Sequence, residues 1–527
     1  MRKIYWIFFV AIAWSSCYDD KGNYDYRDLE EVQVAIKEEG PHSLMYGEVL
    51  QLTSEIKTSI PEVDLQYDWE VQMDTAGFNP FVSVAQGRDL DYKWENVVLN
   101  KEKTYKMRLN VTQISNGRHF YSNVVDVMLS MFPSALGLMV LHGDGNTSDI
   151  GVIEAAEFQL LKPATGFVNK TEIAYFSSKN GNQKIPGRGV GLWQTYLTGS
   201  TYASSNIVVV ALTENSSAVM NSKTMGKEGV WNDLFVGGLN AGRPGGITVS
   251  GYNLYIFDGE DIFTRQAFSY RVAVPKYAYE KGSSTNGFRF YPQLFVPSGR
   301  GIGQAILFDV DKCGFVSIGQ IFSFTNLALI DINEPGIQIP FNPGNMQADL
   351  VYWDAGGKYG MLVVMKSKND GSYFIAEMND AAANMADFPK YKYDLSHISD
   401  VANGNVVDWA FGNNQINMGY YATARGVYHF SVDDGNQINP LDLTMEDNSK
   451  VEFEGEITLM KILKPQATGG KTYYMNNVVM VVGTYGGSSG TGKLYSFELD
   501  PNSGKVKSRL GVYEGFDRIQ EVEIKGY

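Results

Sequence analysis

Leu254-Tyr-Ile-Phe-Asp-Gly-Glu-Asp-Ile-Phe-Thr-Arg265 is the stretch on which the reading of the fold turns. Two short apolar runs flank Asp258-Gly259. Asp and Gly tolerate the backbone angles of a tight hairpin turn, so the segment predicts two antiparallel strands joined by a short loop. The same strand-turn-strand texture returns at 138–141 with 150–154, 207–212 with 218–221, 305–310 with 314–318, 361–365 with 372–378, 416–422 with 426–432, and 478–484 with 493–499. Asp370-Gly371 and Gly486-Gly487 supply turn signals of the same kind. The seven units begin 47 to 69 residues apart. A hairpin recurring at this interval predicts a β-propeller of about seven blades over residues 133–527, since a four-stranded blade takes roughly 40 to 50 residues. The interval is too long for β-helix coils, and a long double-sheet sandwich is the competing arrangement.

Upstream of these units the pattern has period two. Val32, Val34 and Ile36 alternate with other residues, as do Val63, Leu65, Tyr67, Trp69 and Val71, and then Tyr105, Met107, Leu109 and Val111. A last strand is expected over 121–129. Such alternation puts one face of each strand on a core. Short strands across residues 31–132 predict an Ig-like β-sandwich with Trp69 inside it and no cysteine pair around it. The whole chain thus reads as all-β.

The N-terminus carries Arg2 and Lys3, an apolar run from Ile4 to Ala13, and small residues Ser15 and Ser16 before Cys17. A basic start, a short apolar core and small residues make a secretory signal over residues 1–16. The run is shorter than the roughly 20 apolar residues needed to span a bilayer. Cys17 stands where a bacterial lipobox ends, although Trp14 replaces the usual Leu. Lipid on its thiol and amine would anchor the chain, because stable anchoring takes more than one acyl chain. Residues 17–30 are polar and acidic and read as a tether.

The chain carries 59 acidic and 44 basic residues, and losing Arg2 and Lys3 with the signal takes its formal charge from -15 to -17. Such a surface disfavours nucleic acid, whose binding rests on cationic neutralisation of phosphates. Cys17 and Cys313 are the only cysteines, so lipidation of Cys17 leaves no intrachain disulfide. No later segment reaches transmembrane length.

Candidate chemistry is sparse. His42, His119, His142, His397 and His429 show no metal-ligand spacing, so no metal site is expected. His142 reads as a surface hairpin residue and Cys313 as a buried, inert thiol. Asp309-Val-Asp-Lys-Cys-Gly314 departs from a calcium loop at Cys313 and again at Gln320, where a Glu belongs. Gly486-Gly-Ser-Ser-Gly490 spells the pattern of a nucleophile elbow, but a strand follows where the elbow needs a helix. No phosphate-binding loop, cofactor motif or catalytic residue is legible. Acid/base carboxylate pairs remain an open alternative, with nothing to single out two of the 59.

Cys17-Tyr-Asp-Asp-Lys-Gly-Asn-Tyr-Asp-Tyr26 resembles the mature start of the PKD-like surface lipoproteins of Bacteroidota. Tyr67-Asp-Trp-Glu-Val71 resembles the Trp-bearing strand of a PKD repeat without its Asp-Phe-Gly-Asp-Gly continuation, and the ending from Gly511 to Ile524 is also similar to that family. The resemblance implies an outer-membrane, cell-surface lipoprotein that accompanies a SusC-like TonB-dependent transporter and a SusD-like lipoprotein. It implies that Asp19 and Asp20 form the surface-export signal, and it transfers no catalytic residue. The expected function is a non-enzymatic accessory binding or scaffold subunit for uptake of oligopeptides or glycans, with no cofactor. The alternatives are a surface glycan- or peptide-degrading enzyme on a propeller scaffold and a purely structural interaction protein. Replacing Cys17 by Ala is expected to move the protein out of the membrane fraction on cell fractionation. Full retention of the Cys17→Ala protein would show that no lipid anchor exists there.

Overall fold

A computed structural model of the chain describes residues 32–38, 40–45, 49–73, 80–93, 104–130, 137–159, 167–196, 207–222, 224–235, 244–250, 253–259, 261–266, 280–281, 288–297, 305–319, 327–333, 336–412, 417–433, 435–464, 475, 478–487 and 490–525. Among the described residues its elements are almost all strands, and the α-helices are the single turns Tyr175–Lys179 and Ser399–Ala402. None of the described helices is long and apolar enough to cross a membrane. The chain divides into two compact units, one of residues 1–39, 49–94 and 104–127, the other of 40–48, 95–103 and 128–527.

The first unit is built around Leu65–Gln72, which pairs antiparallel with Phe81–Gln86 on one side and Thr104–Gln113 on the other. Gln33–Ile36 pairs with Ser54–Lys57, and Val49–Leu52 with Leu90–Lys93. The period-two pattern has its expected consequence. Trp69, Val71, Met107, Leu109 and Val111 are all 0% exposed, and the Trp69 indole N–H donates to the Gly87 carbonyl at 3.1 Å. Two details differ from the sequence pattern. Val63 is 89% exposed, because Pro61 is followed by a single 3-10 turn, Glu62–Asp64, that delays the strand to Leu65. The expected strand over 121–129 is broken: Arg118–Tyr121 and Val125–Ser130 are separate, and between them the Ser122 hydroxyl takes the Leu109 N–H while the Asn123 side chain takes that of Ile36.

In the second unit seven antiparallel sheets follow one another among the described residues. Each of the seven expected hairpins is present as the middle strands of one sheet, for example Asn253–Asp258 with Asp261–Gln266. Hairpin strands such as Gly137–Gly143, Ala305–Asp309 and Gly314–Ile318 are buried at every position, which is why they read as apolar runs and not as alternating strands. A further strand precedes the hairpin in sheets two to seven: Gly189–Tyr196, Pro244–Ser250, the irregular 290–295, Ala348–Ala355, Val406–Phe411 and Glu456–Ile462. The segment 290–295 holds sheet four through isolated bridges at Phe290 and Phe295, and Pro292 between them has no N–H to give a ladder.

Sheet one takes its corresponding strand from the far end of the chain. Arg518–Lys525 pairs antiparallel with Gly137–Gly143, from Gly143 opposite Arg518 to Gly137 opposite Lys525. The apolar layers follow the same order. Each lies between two consecutive sheets, and the last joins Leu459, Val479, Val481 and Leu494 of sheet seven to Leu138, Val140, Ile519 and Val522 of sheet one.

His142 corrects its expected placement. It is 2% exposed, with Nδ1 accepting the Asp517 N–H at 3.1 Å and Nε2 facing the Ile173 carbonyl at 3.0 Å. A ring that accepts at Nδ1 and meets a carbonyl at Nε2 is the neutral Nε2–H tautomer. Burial pushes its pKa below the usual histidine value. The histidine is buried because the entry of the C-terminal strand covers it, a contact 375 residues distant in sequence. Ile519 is 1% exposed on that strand, and Ile519→Ala is expected to cost about 2–5 kcal/mol, as buried Ile-to-Ala truncations do. Equilibrium urea unfolding measures it; an unchanged midpoint would mean that the C-terminal strand does not hold the unit together.

Candidate functional site

Strands that precede the hairpins share one property: all seven border a single cavity of about 650 Å³. Sheet two contributes Trp193 and Thr195, sheet three Gly245 and Gly246, and the fourth Pro292 and Leu294. From the fifth come Tyr352 and Asp354, from the sixth Asp408 and Trp409, from the seventh Lys461 and Lys464, and from sheet one Glu521 and Glu523. Its size falls within the roughly 300–1,000 Å³ of ligand pockets.

The wall is chemically divided. Sheets two to four give an uncharged side. Trp193 packs on Gly191, where a Cβ would sit 2.0 Å from the ring, and a Cβ on Gly246 would come within 3.9 Å of it. The indole is half-buried on the cavity wall. Sheets five, six, seven and one give the charged side, four carboxylates against two ammonium groups.

The charges tie sheets together. Lys461 donates to Glu521 at 3.1 Å and to the Val522 carbonyl at 2.8 Å, and Glu523 lies 3.6 Å away. Lys464 reaches over sheet six to Asp354 at 2.6 Å and to the Ala355 carbonyl. Asp408 accepts the Trp409 N–H at 2.9 Å and, from sheet seven, the Met460 N–H at 3.0 Å. The Tyr352 hydroxyl donates to Asp354 at 3.2 Å.

Lys461, Glu521 and Glu523 keep 37%, 28% and 31% of their side-chain surface open. That surface borders the cavity, so these groups are reachable yet surrounded by protein. Burial pushes the carboxyl groups of Asp408 and Glu523 up to about 7, against the pull of Lys461. Burial opposes the Lys461 charge too, but Glu521 and Glu523 outweigh it and hold the ammonium above its usual value. For Lys464 burial wins, and its pKa falls despite Asp354. The Tyr352 hydroxyl is driven well above its normal range, first by burial and then by Asp354.

The sequence candidates lie elsewhere. Cys17, Asp19 and Asp20 are outside the described residues, as are Ser488 and Gln320. The strands Val479–Gly486 and Thr491–Leu499 flank Ser488 as a hairpin, which no nucleophile elbow allows. Cys313 is a buried free thiol, 6% exposed, whose Sγ lies 3.6 Å from the Val310 carbonyl. One Asp309 oxygen accepts the Asp311 and Lys312 N–H groups, closing a turn. Among the described residues no three His, Cys, Asp or Glu side chains converge to hold a metal ion. Among the described residues the cavity wall includes no histidine, cysteine or serine.

Sequence reasoning missed all six charged residues of the cavity. A signal was present: Trp353-Asp354, Asp408-Trp409, Lys461, Lys464 and Glu521-Val-Glu523 place charges among the apolar residues of strands next to the expected hairpins.

Residues 17–187 match the model of the PKD-like family, less than half of the chain. A crystal structure of a DUF4784 family protein from Bacteroides caccae ATCC 43185 matches at 8% identity, covering 90% of this chain and 83% of that one; its TM-score of 0.20 carries no argument. No curated protein matches.

The charged side has a pH signature. A carboxyl group whose folded pKa is raised binds more protons folded than unfolded, so its contribution to stability falls as pH rises through that interval. For Glu523 the interval runs from 4.5 to about 7. The Glu523→Gln variant should therefore gain stability relative to the parent on going from pH 5 to pH 8, by on the order of 2 kcal/mol. Paired thermal melts across that range would read the gain; a constant gap would show that Glu523 titrates as if in water.

Proposed function

We propose that the second unit is a seven-bladed β-propeller and that the protein is a surface-exposed, lipid-anchored accessory subunit of a SusC/SusD-like uptake complex, binding oligopeptides or glycans without cleaving them. One observation carries the propeller: the same strand of all seven sheets borders one cavity, with sheet one drawing its strand from the C-terminus. Sheets radiating from an axis share such a lumen, whereas a double-sheet sandwich has no reason to bring seven separate sheets to one cavity. The PKD-like match over residues 17–187 supports the lipoprotein reading, because it starts at Cys17. A lipid and a tether of residues 17–30 would keep the lumen beside a transporter at high local concentration.

Raised carboxyl groups at Asp408 and Glu523 favour a second reading, a glycan-cleaving enzyme with one of them as general acid. Binding is the better account of the geometry. Asp408 is occupied by two backbone N–H groups, and Glu523 is paired with the Lys461 ammonium 3.6 Å away. Both carboxylates are thus engaged in joining or bracing the sheets. Isolation of the lipoprotein from native outer membranes should bring down a TonB-dependent transporter and its SusD-like partner. Incubation with mixed oligopeptides and glycans should yield complexes and no products by mass spectrometry. Cleavage abolished by Asp408→Asn or Glu523→Gln would replace this reading with the enzyme.

A further inference from the structure

We infer that the lumen recognises an organic cation, the ammonium or guanidinium group of a short basic peptide, held between the Trp193 face and the Asp408–Glu521–Glu523 side. The inference rests on the binding-subunit reading and chooses within it, since it favours a peptide over a neutral glycan.

Three independent observations lead there. The first is the charge balance of a partly open cavity. Four carboxylates share two ammonium groups, and each ammonium is already spent: Lys464 on Asp354, Lys461 on Glu521 and Glu523. Buried negative charge without its full complement of cations is costly, so the cavity lowers its free energy by taking up either protons or a cation. The upward displacement of Asp408 and Glu523 is the proton half of that alternative.

The second is an acceptor without a partner. Thr195 is 3% exposed on the cavity wall, two residues from Trp193, and its hydroxyl has no hydrogen-bond partner among the described residues. A buried hydroxyl left unpaired keeps its full desolvation cost, which a donor arriving in the cavity would relieve. An ammonium or guanidinium group offers several donors and no acceptor, which suits a wall of carboxylates and a hydroxyl.

The third is the indole. Trp193 is half-buried and lines the cavity, packed so closely on Gly191 that any Cβ there would meet its ring. A cation is drawn to an indole ring by its quadrupole, and tryptophan is the best of the aromatic rings for it. A metal ion is the poorer fit, because no three carboxylates converge among the described residues.

The charged groups that bear on this side are Asp354, Asp408, Lys461, Lys464, Glu521 and Glu523, with Tyr352 beside Asp354. Lowering the pH from 8 to 5.5 protonates Asp408 and Glu523 and should weaken the cation, which competes with protons for the same place.

Calorimetric titration of the full-length lipoprotein in detergent, at low salt, tests the inference. The probes are dilysine amide, its fully acetylated analogue, and cellobiose. Dilysine amide at pH 8 should bind at least about tenfold more tightly than the acetylated analogue, since each lost charge-assisted contact is worth roughly a decade in affinity. The preference should fall at pH 5.5, and Glu523→Gln should weaken dilysine about tenfold while the acetylated peptide is unaffected. Trp193→Leu, which leaves the charged side intact, should weaken dilysine several-fold. Equal affinity for the two peptides, indifference to pH, or no binding of dilysine amide would overturn the inference. Cellobiose binding in place of dilysine would overturn it as well, while leaving the accessory-subunit reading standing. That reading fails separately, by the absence of a transporter in the native isolate.

Discussion

The pairing of Arg518–Lys525 with Gly137–Gly143 is the constraint on which the second unit depends. Every sheet there is buried on both faces, so each needs an apolar neighbour on either side. Six of the seven layers join sheets that are adjacent in sequence. The seventh has to join the last sheet to the first, and the C-terminal strand makes it possible by giving sheet one a strand that also lies against Gly189–Tyr196 and Glu456–Ile462. Without that strand Leu138 and Val140 on one side and Leu459 and Val481 on the other would lose the cluster that covers them. His142 reports the same closure, because both its ring nitrogens are satisfied only when Asp517 is in place.

Charge inside the cavity follows from that closure. Lys461 links sheets seven and one, Lys464 links seven and five, and Asp408 links six and seven. These are contacts between the inner strands, where apolar packing thins out at the cavity. A cross-link there has to be polar to face the lumen, and it has to be paired to survive low dielectric surroundings. The pairing is incomplete, four acids against two bases. Structural linkage and ligand recognition therefore rest on the same side chains: the charges brace the sheets, and their imbalance leaves a preference for what enters.

The first unit obeys a simpler logic. Its strands have one buried face and one open face, so period two in the sequence became alternation in burial, with Trp69 at the centre of the core. Errors arose at strand ends. Val63 continued the alternation numerically but fell in the turn after Pro61, and the run from 121 to 129 hid a break at Asn123. Periodicity describes a strand once it exists, while its limits are set by side chains that take over the backbone hydrogen bonds.

By itself the sequence determined the all-β class and the seven hairpins, because turn chemistry such as Asp258-Gly259 and the period of apolar residues act over a handful of neighbours. It determined as well that Trp69 would be buried. The inner strands and the cavity were decided by tertiary structure. Asp354, Asp408, Lys461 and Glu523 are scattered over some 170 residues, and nothing local connects them. Only the folding of sheet upon sheet sets them around one space, and only the return of the last strand to the first sheet completes its wall. Local propensity carries no information about such a meeting, since the free energy that fixes it comes from apolar layers between sheets and not from any residue's own preference.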